Sequence, residues 1–147
     1  MHHRLLALAV VSLVAAPLAA QESASAPAPV TRPDSAATLA AGRTYTEWFY
    51  ADQGDSIIAH SSAQVKEKVT ASQLSDIIGQ LLSQAGPEVS VLSETVVPRD
   101  SLSAYMREAK FELMDEPLIV VFVLGGPNDI YGFRIFPKSQ LPPELAQ

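Results

Sequence analysis

Residues 118–136 read LIVVFVLGGPNDIYGFRIF, two apolar runs joined by the turn-forming cluster GGPND. Glycine, proline, asparagine and aspartate supply the backbone angles of a chain reversal, and the flanking runs demand burial, so the stretch predicts a β-hairpin. Every residue of 118–124 is apolar and most are β-branched or aromatic. Both faces of that first strand therefore call for a dry environment, which a sheet covered on one side alone does not provide.

Upstream, Asp115-Glu116-Pro117 turns the chain into this hairpin. Before it, residues 103–113 alternate Arg107, Ala109, Phe111 and Leu113 against Glu108, Lys110 and Glu112, the period-two signature of a strand. Residues 88–97 make another strand, joined to it by a turn over Pro98-Arg99-Asp100-Ser101. Because a one-residue slip exchanges every buried side chain for a charged one, the alternation predicts Val91 opposite Ala109 and Val89 opposite Phe111. Four consecutive antiparallel strands result.

The segments before the strands read as helices. Thr70 and Gln73 form a capping-box pattern, Leu74, Ile77, Ile78, Leu81, Leu82 and Ala85 follow at helical spacing, and Gly86-Pro87 stops the run. This helix is expected over residues 71–85, covering the sheet with Leu74, Ile78, Leu81 and Leu82. Nearer the start, Asp34 or Ser35 caps a helix carrying Ala37, Ala41, Tyr45, Trp48 and Phe49 along one side, which Asp52-Gln53-Gly54-Asp55 breaks. Ile57, Ile58, Val65 and Val69 between the two predict short helices or turns. Helices first and a strand meander last define an α+β domain with the helices on one face of the sheet.

At 147 residues, 48% hydrophobic and 18% charged, the chain has room for one ordinary core. The domain is expected over residues 35–137, with a C-terminal tail at 138–147. A net charge of −6 leaves no diffuse basic field for phosphates, which argues against a nucleic-acid partner. Cysteine is absent, so disulfides and thiolate chemistry are excluded. Residues 1–20 combine the basic start at Arg4, an apolar run and small residues before Gln21, which reads as a cleavable signal peptide. The apolar run is shorter than the roughly 20 residues a membrane span needs, so export to the periplasm or medium is expected, with no span after cleavage. Residues 21–34, rich in alanine, serine and proline, read as a disordered linker.

From about residue 37 to residue 137 the chain resembles the nuclear-transport-factor-like, cystatin-like superfamily, in particular the small bacterial family catalogued as domain of unknown function 3887. The resemblance is carried by the first helix with Tyr45 and Trp48, the Gly54-Asp55 break, Val65-Lys66-Glu67-Lys68 before the capped helix, and the closing Asp129-Ile130-Tyr131-Gly132-Phe133-Arg134. It implies N-terminal helices packed on a curved, cone-shaped four-stranded antiparallel sheet with a pocket between. Some members are isomerases or dehydratases and many only bind or dimerise, so the resemblance implies a scaffold rather than a reaction.

No G-x-S-x-G elbow, phosphate-binding glycine loop, dinucleotide fingerprint or H-E-x-x-H occurs. No catalytic residue, metal site or cofactor is therefore assigned. His60 is the sole histidine beyond the leader; it reads as a solvated residue among serines, or as a general base at a pocket mouth. Glu47, Asp52 and Asp55 read as a capped helix break, or as a carboxylate beside Tyr45 and Trp48. Arginines within apolar strands need a partner or a route to water. Arg107 either holds an anionic ligand or makes an inter-strand salt bridge with Glu94 or Glu108. Tyr45, Trp48, Tyr105, Arg107 and Arg134 are the pocket candidates, for a small apolar or anionic ligand.

Two functions follow: an exported non-catalytic ligand-binding or assembly module, and alternatively a small pocket enzyme of isomerase or lyase type using a carboxylate or histidine base. Counting alternation, Val120, Phe122 and Leu124 share the helix-covered face, while Ile119, Val121 and Val123 share the other with Tyr131, Phe133 and Ile135. That second apolar face needs a second copy, the tail or another partner over it. A homodimer through the sheet is expected, as the resemblance implies and as a self-complementary patch permits.

Overall fold

The computed structural model describes residues 34–126 and 128–146. The expected signal peptide, and the expected linker apart from Asp34, lie outside the described residues.

Helix α1, Ser35–Tyr50, begins at Asp34, whose carboxylate accepts a hydrogen bond from the Ala37 amide at 3.1 Å. It ends where Asp52 takes a left-handed conformation (φ 54°), which short polar side chains tolerate. Short helices α2, Gly54–Ala59, and α3, Ala63–Lys68, fill the stretch that read as short helices or turns. Helix α4, Ala71–Ala85, carries both halves of the Thr70/Gln73 capping box and stops at Gly86, whose positive φ of 71° favours glycine. Its buried stripe is narrower than its periodicity suggests: Leu74 and Ile78 are buried, Leu81 and Leu82 half-buried, and Ile77 is 43% exposed.

Strands β1 (Glu88–Arg99), β2 (Leu102–Phe111), β3 (Leu118–Gly126) and β4 (Asp129–Pro137) form one antiparallel meander in that order. The sheet is curved and unclosed, with the helices packed against it. The turn between β1 and β2 is tighter than expected, because Asp100 adopts φ 46° and lets β1 run through Pro98 and Arg99. Proline is tolerated there because β1 is an edge strand.

Val91 lies opposite Ala109, as expected, but Glu88 rather than Val89 lies opposite Phe111. The register shifts between Glu88 and Ser90 and again between Val91 and Ser93, each inserting an extra residue in β1. Without those bulges Glu94 would fall opposite Tyr105; with them it falls opposite Arg107.

Tyr105, Val120, Phe122 and Leu124 form the core beneath the helices with Tyr45, Phe49, Ile57, Leu74 and Ile78. The assignment of β4 faces needs correction. Phe133 and Ile135 lie opposite Phe122 and Val120 and pack on this inner core, not on the second face. The hairpin closes with Gly126 opposite Asp129, which sets Val123 against Gly132, one residue away from the register assumed from alternation. One residue is enough to exchange the faces. A local shift pairs Leu124 with Ile130 and draws Ile130 into the core. Tyr131 is left outside and 42% exposed.

The outer face carries Ala104, Met106, Ile119 and Val121, and the tail lies on it. Two 3₁₀ turns, Lys138–Gln140 and Pro143–Leu145, bring Leu141 and Leu145 onto that cluster. Lys138 pairs with Glu108 at 2.7 Å, and Ser139 bonds the Glu116 carboxylate through its amide and its hydroxyl. The tail thus supplies part of the cover this face requires. Among the described residues no helix is long and apolar enough to cross a membrane.

Candidate functional site

The inner side of the sheet is closed by an ionic network. Helix α1 comes against β2 at Gly42, where a Cβ would sit 2.1 Å from the Tyr105 ring, so only glycine permits the approach. Tyr105 lies buried beneath the helix and donates its hydroxyl to Glu94 at 2.6 Å. Glu94 also accepts Arg43 of α1 at 2.7 and 3.0 Å and Arg107 at 3.2 Å. Glu88 accepts two bonds from Arg107, at 2.5 and 3.0 Å, and one from the Tyr50 hydroxyl at 2.8 Å. Two carboxylates thus meet two guanidiniums and two phenols, so each charge has an opposite beside it.

The titration of these groups reflects that pairing. Hydrogen bonds from Arg43 and then Tyr105 hold the Glu94 carboxyl at about 2, against the opposing effect of burial. Glu88 holds the Arg107 guanidinium protonated well beyond its usual range. Burial, reinforced by Glu94, pushes the Tyr105 phenol up to about 12, and burial with Glu88 raises Tyr50 further still. Glu94, Arg107, Tyr105 and Tyr50 are thus all moved away from neutral pH, which suits them to holding the fold and not to acid–base work.

A second cluster lies at the helix break. Ser62 donates its amide to the Ile130 carbonyl and Ile130 donates to the His60 carbonyl, both at 2.8 Å, fastening this loop to β4. The fastening brings His60 onto α1: its ring centroid is 4.9 Å from Trp48 and 6.1 Å from Tyr45. His60 Nδ1 lies 2.8 Å from the Ser56 carbonyl and must be the donor there. A neutral ring then keeps Nε2 as the acceptor. Thr44, Tyr45, Trp48, His60 and Asn128 edge a hollow of about 230 Å³. Burial raises the Tyr45 phenol, and the Asp129 charge adds to the shift. Glu47, Asp52 and Asp55 are all exposed.

The third feature is on the outer face. One cross-strand row runs Val97, Ala104, Val123 and Gly132, and its two small residues sink the floor where the next rows carry Met106, Ile119 and Phe136. The hollow is about 420 Å³. Tyr131 walls one side, with its ring against Gly125, where a Cβ would come within 2.4 Å of it. Leu145 of the tail walls another, and Arg99, beside it, donates to the Glu144 carbonyl. Arg134, exposed on the rim, has no hydrogen-bond or ion-pair partner among the described residues.

The five pocket candidates therefore occupy three places. Tyr105 and Arg107 belong to the inner network, Tyr45 and Trp48 to the His60 cluster, and Arg134 to the outer hollow. Of the partners named for Arg107, the structure selects Glu94 and adds Glu88; Glu108 instead faces outward to Lys138. Sequence reasoning missed Glu88, Arg43, Tyr50 and Gly42. A glycine inside a strong helical run was the one available signal, since it costs about 1 kcal/mol unless packing requires it.

Among the described residues no group of three or more histidine or carboxylate side chains is placed to hold a metal ion. No family model, curated protein or solved structure matches the chain.

Proposed function

We propose that the chain is an exported, non-catalytic binding module whose working surface is the outer face of its sheet. Export rests on the leader at residues 1–20, and the order of helices before a meander supports kinship with the nuclear-transport-factor-like superfamily. The observation that carries the binding surface is a contrast between the two faces. Inside, Arg107 is consumed by Glu88 and Glu94 and the space under α1 is filled by Tyr45, Phe49, Tyr105 and Phe122. Outside, a sunken apolar floor stays open beside an arginine that the fold does not neutralise.

Pairing of two copies is the assembly form of the same reading. It is the less favoured form, because Leu141 and Leu145 already cover the Met106–Ile119 part of that face. Mass spectrometry of protein taken from the native cell envelope tests the proposal. The mature N-terminus should lie at or near Gln21, and a bound species should be lost from Val123→Lys and kept by Thr44→Lys. The reverse pattern would place the working surface at the helix break.

One observation favours a second reading, a small pocket enzyme of isomerase or lyase type: His60, its Nδ1 bonded to the Ser56 carbonyl, lines an aromatic hollow with Tyr45 and Trp48. A bound compound that displaces the His60 titration in NMR and is lost from His60→Gln would favour it.

A further inference from the structure

Resting on the outer face as the working surface, we infer that its hollow is a site for an amphipathic monocarboxylate, the apolar body on Val123 and Gly132 and the carboxylate on Arg134. The volume of about 420 Å³ suits a small molecule and is modest for a protein segment. Ala104 and Val121 lie buried beneath it, and the surface open to a ligand is that of half-buried Val123, Gly132 and Phe133 with exposed Tyr131. Burying a hydrocarbon there removes apolar area from water without stranding a polar group.

The charge on the rim selects the head group. Arg99, Arg134 and Glu144 are the ionised residues lining the hollow. Two guanidiniums and one carboxylate give the lining an excess of one positive charge in a molecule of net charge −6, and with Arg99 engaged by the Glu144 carbonyl the unpartnered guanidinium is that of Arg134. One excess charge matches a monoanion, and the planar guanidinium fork matches the two oxygens of a carboxylate. A dianionic phosphate would leave one charge uncompensated against an acidic protein. A cationic amphiphile would meet Arg134 with like charge.

Sodium decanoate is the probe, titrated into the mature protein by calorimetry and by amide NMR, with decanol and decyltrimethylammonium as neutral and cationic controls. Saturable decanoate binding is expected, shifting the amides of Val121, Val123 and Gly132, with both controls at least about tenfold weaker, because a charge-assisted hydrogen bond is worth about that factor or more. Arg134→Gln should lose the same factor. Gly132→Leu should abolish binding at unchanged melting temperature, because nothing lies within 4 Å of a Cβ at Gly132 and the new side chain has the hollow to enter.

Decanol binding as well as decanoate would overturn the inference, as would affinity that survives Gly132→Leu. A parent dimer split by Gly132→Leu in light scattering would assign the hollow to a second copy instead. Absence of decanoate binding, with a native bound species still lost from Val123→Lys, would refute the carboxylate while leaving the outer face as the working surface. A bound species indifferent to Val123→Lys would remove that surface itself.

Discussion

Replacing Gly42 with alanine tests how α1 is seated, and the magnitude follows from one contact. The added methyl would lie 2.1 Å from a carbon of the Tyr105 ring and within 2.5 Å of two more. Tyr105 has no room to yield, since it is fully buried and its hydroxyl is bonded to Glu94. The helix must therefore retreat by an ångström or more, loosening its contacts through Tyr45 and Phe49 with the sheet; gaps of 0.5 to 1 Å already forfeit a quarter to a half of a dispersion contact. Overpacking of this kind costs about 1 to 3 kcal/mol or more, against a gain of about 1 kcal/mol from alanine's helix propensity. With the retreat included, we expect a net loss of about 2 to 4 kcal/mol, or about 10 to 20 °C in melting temperature. Gly79→Ala is the control: Gly79 is exposed on α4 with nothing within 4 Å of a Cβ, so the propensity gain should stand alone. Urea unfolding followed by Trp48 fluorescence measures both. A Gly42→Ala protein within about 0.5 kcal/mol of the parent would refute this seating of the helix.

Acid should weaken the inner network in a defined window. Glu94 titrates at about 2 when folded against an ordinary 4.5, so its contribution is complete above pH 4.5 and is lost as the pH falls towards 2. Urea midpoints of parent and Glu94→Gln should therefore converge across that window; a constant difference would contradict the assignment. Leu74→Ala should cost about 2 to 5 kcal/mol because Leu74 is fully buried, whereas half-buried Leu81→Ala should cost about 1 to 2 kcal/mol. Equal losses in thermal unfolding would mean that α4 presents a different stripe.

How much of this was legible beforehand depended on whether the signal was local. The Thr70/Gln73 capping box, the Gly86 stop and the four-strand order all rest on residues close in sequence, and they stand as read. The β4 faces did not. Turn geometry decides whether Phe133 points in or out and the local Leu124–Ile130 shift decides the side of Ile130, and alternation carries no information about either. The inner network was half legible for a related reason. Arg107 plainly needed a carboxylate and Glu94 was named among its partners. The two bulges that bring Glu94 opposite it arise only when β1 and β2 are fitted together. The outer hollow was hidden because it is made by the smallness of Ala104 and Gly132 in one cross-strand row, which presupposes the register.

The most direct measurement is a crystal structure of the protein purified without refolding from the cells that make it. The account predicts a bound molecule over Val123 and Gly132 with an acidic group at Arg134, and Arg107 still joined to Glu88 and Glu94. A molecule seated instead between α1 and the sheet, with Arg107 turned away from both carboxylates to meet it, would contradict it.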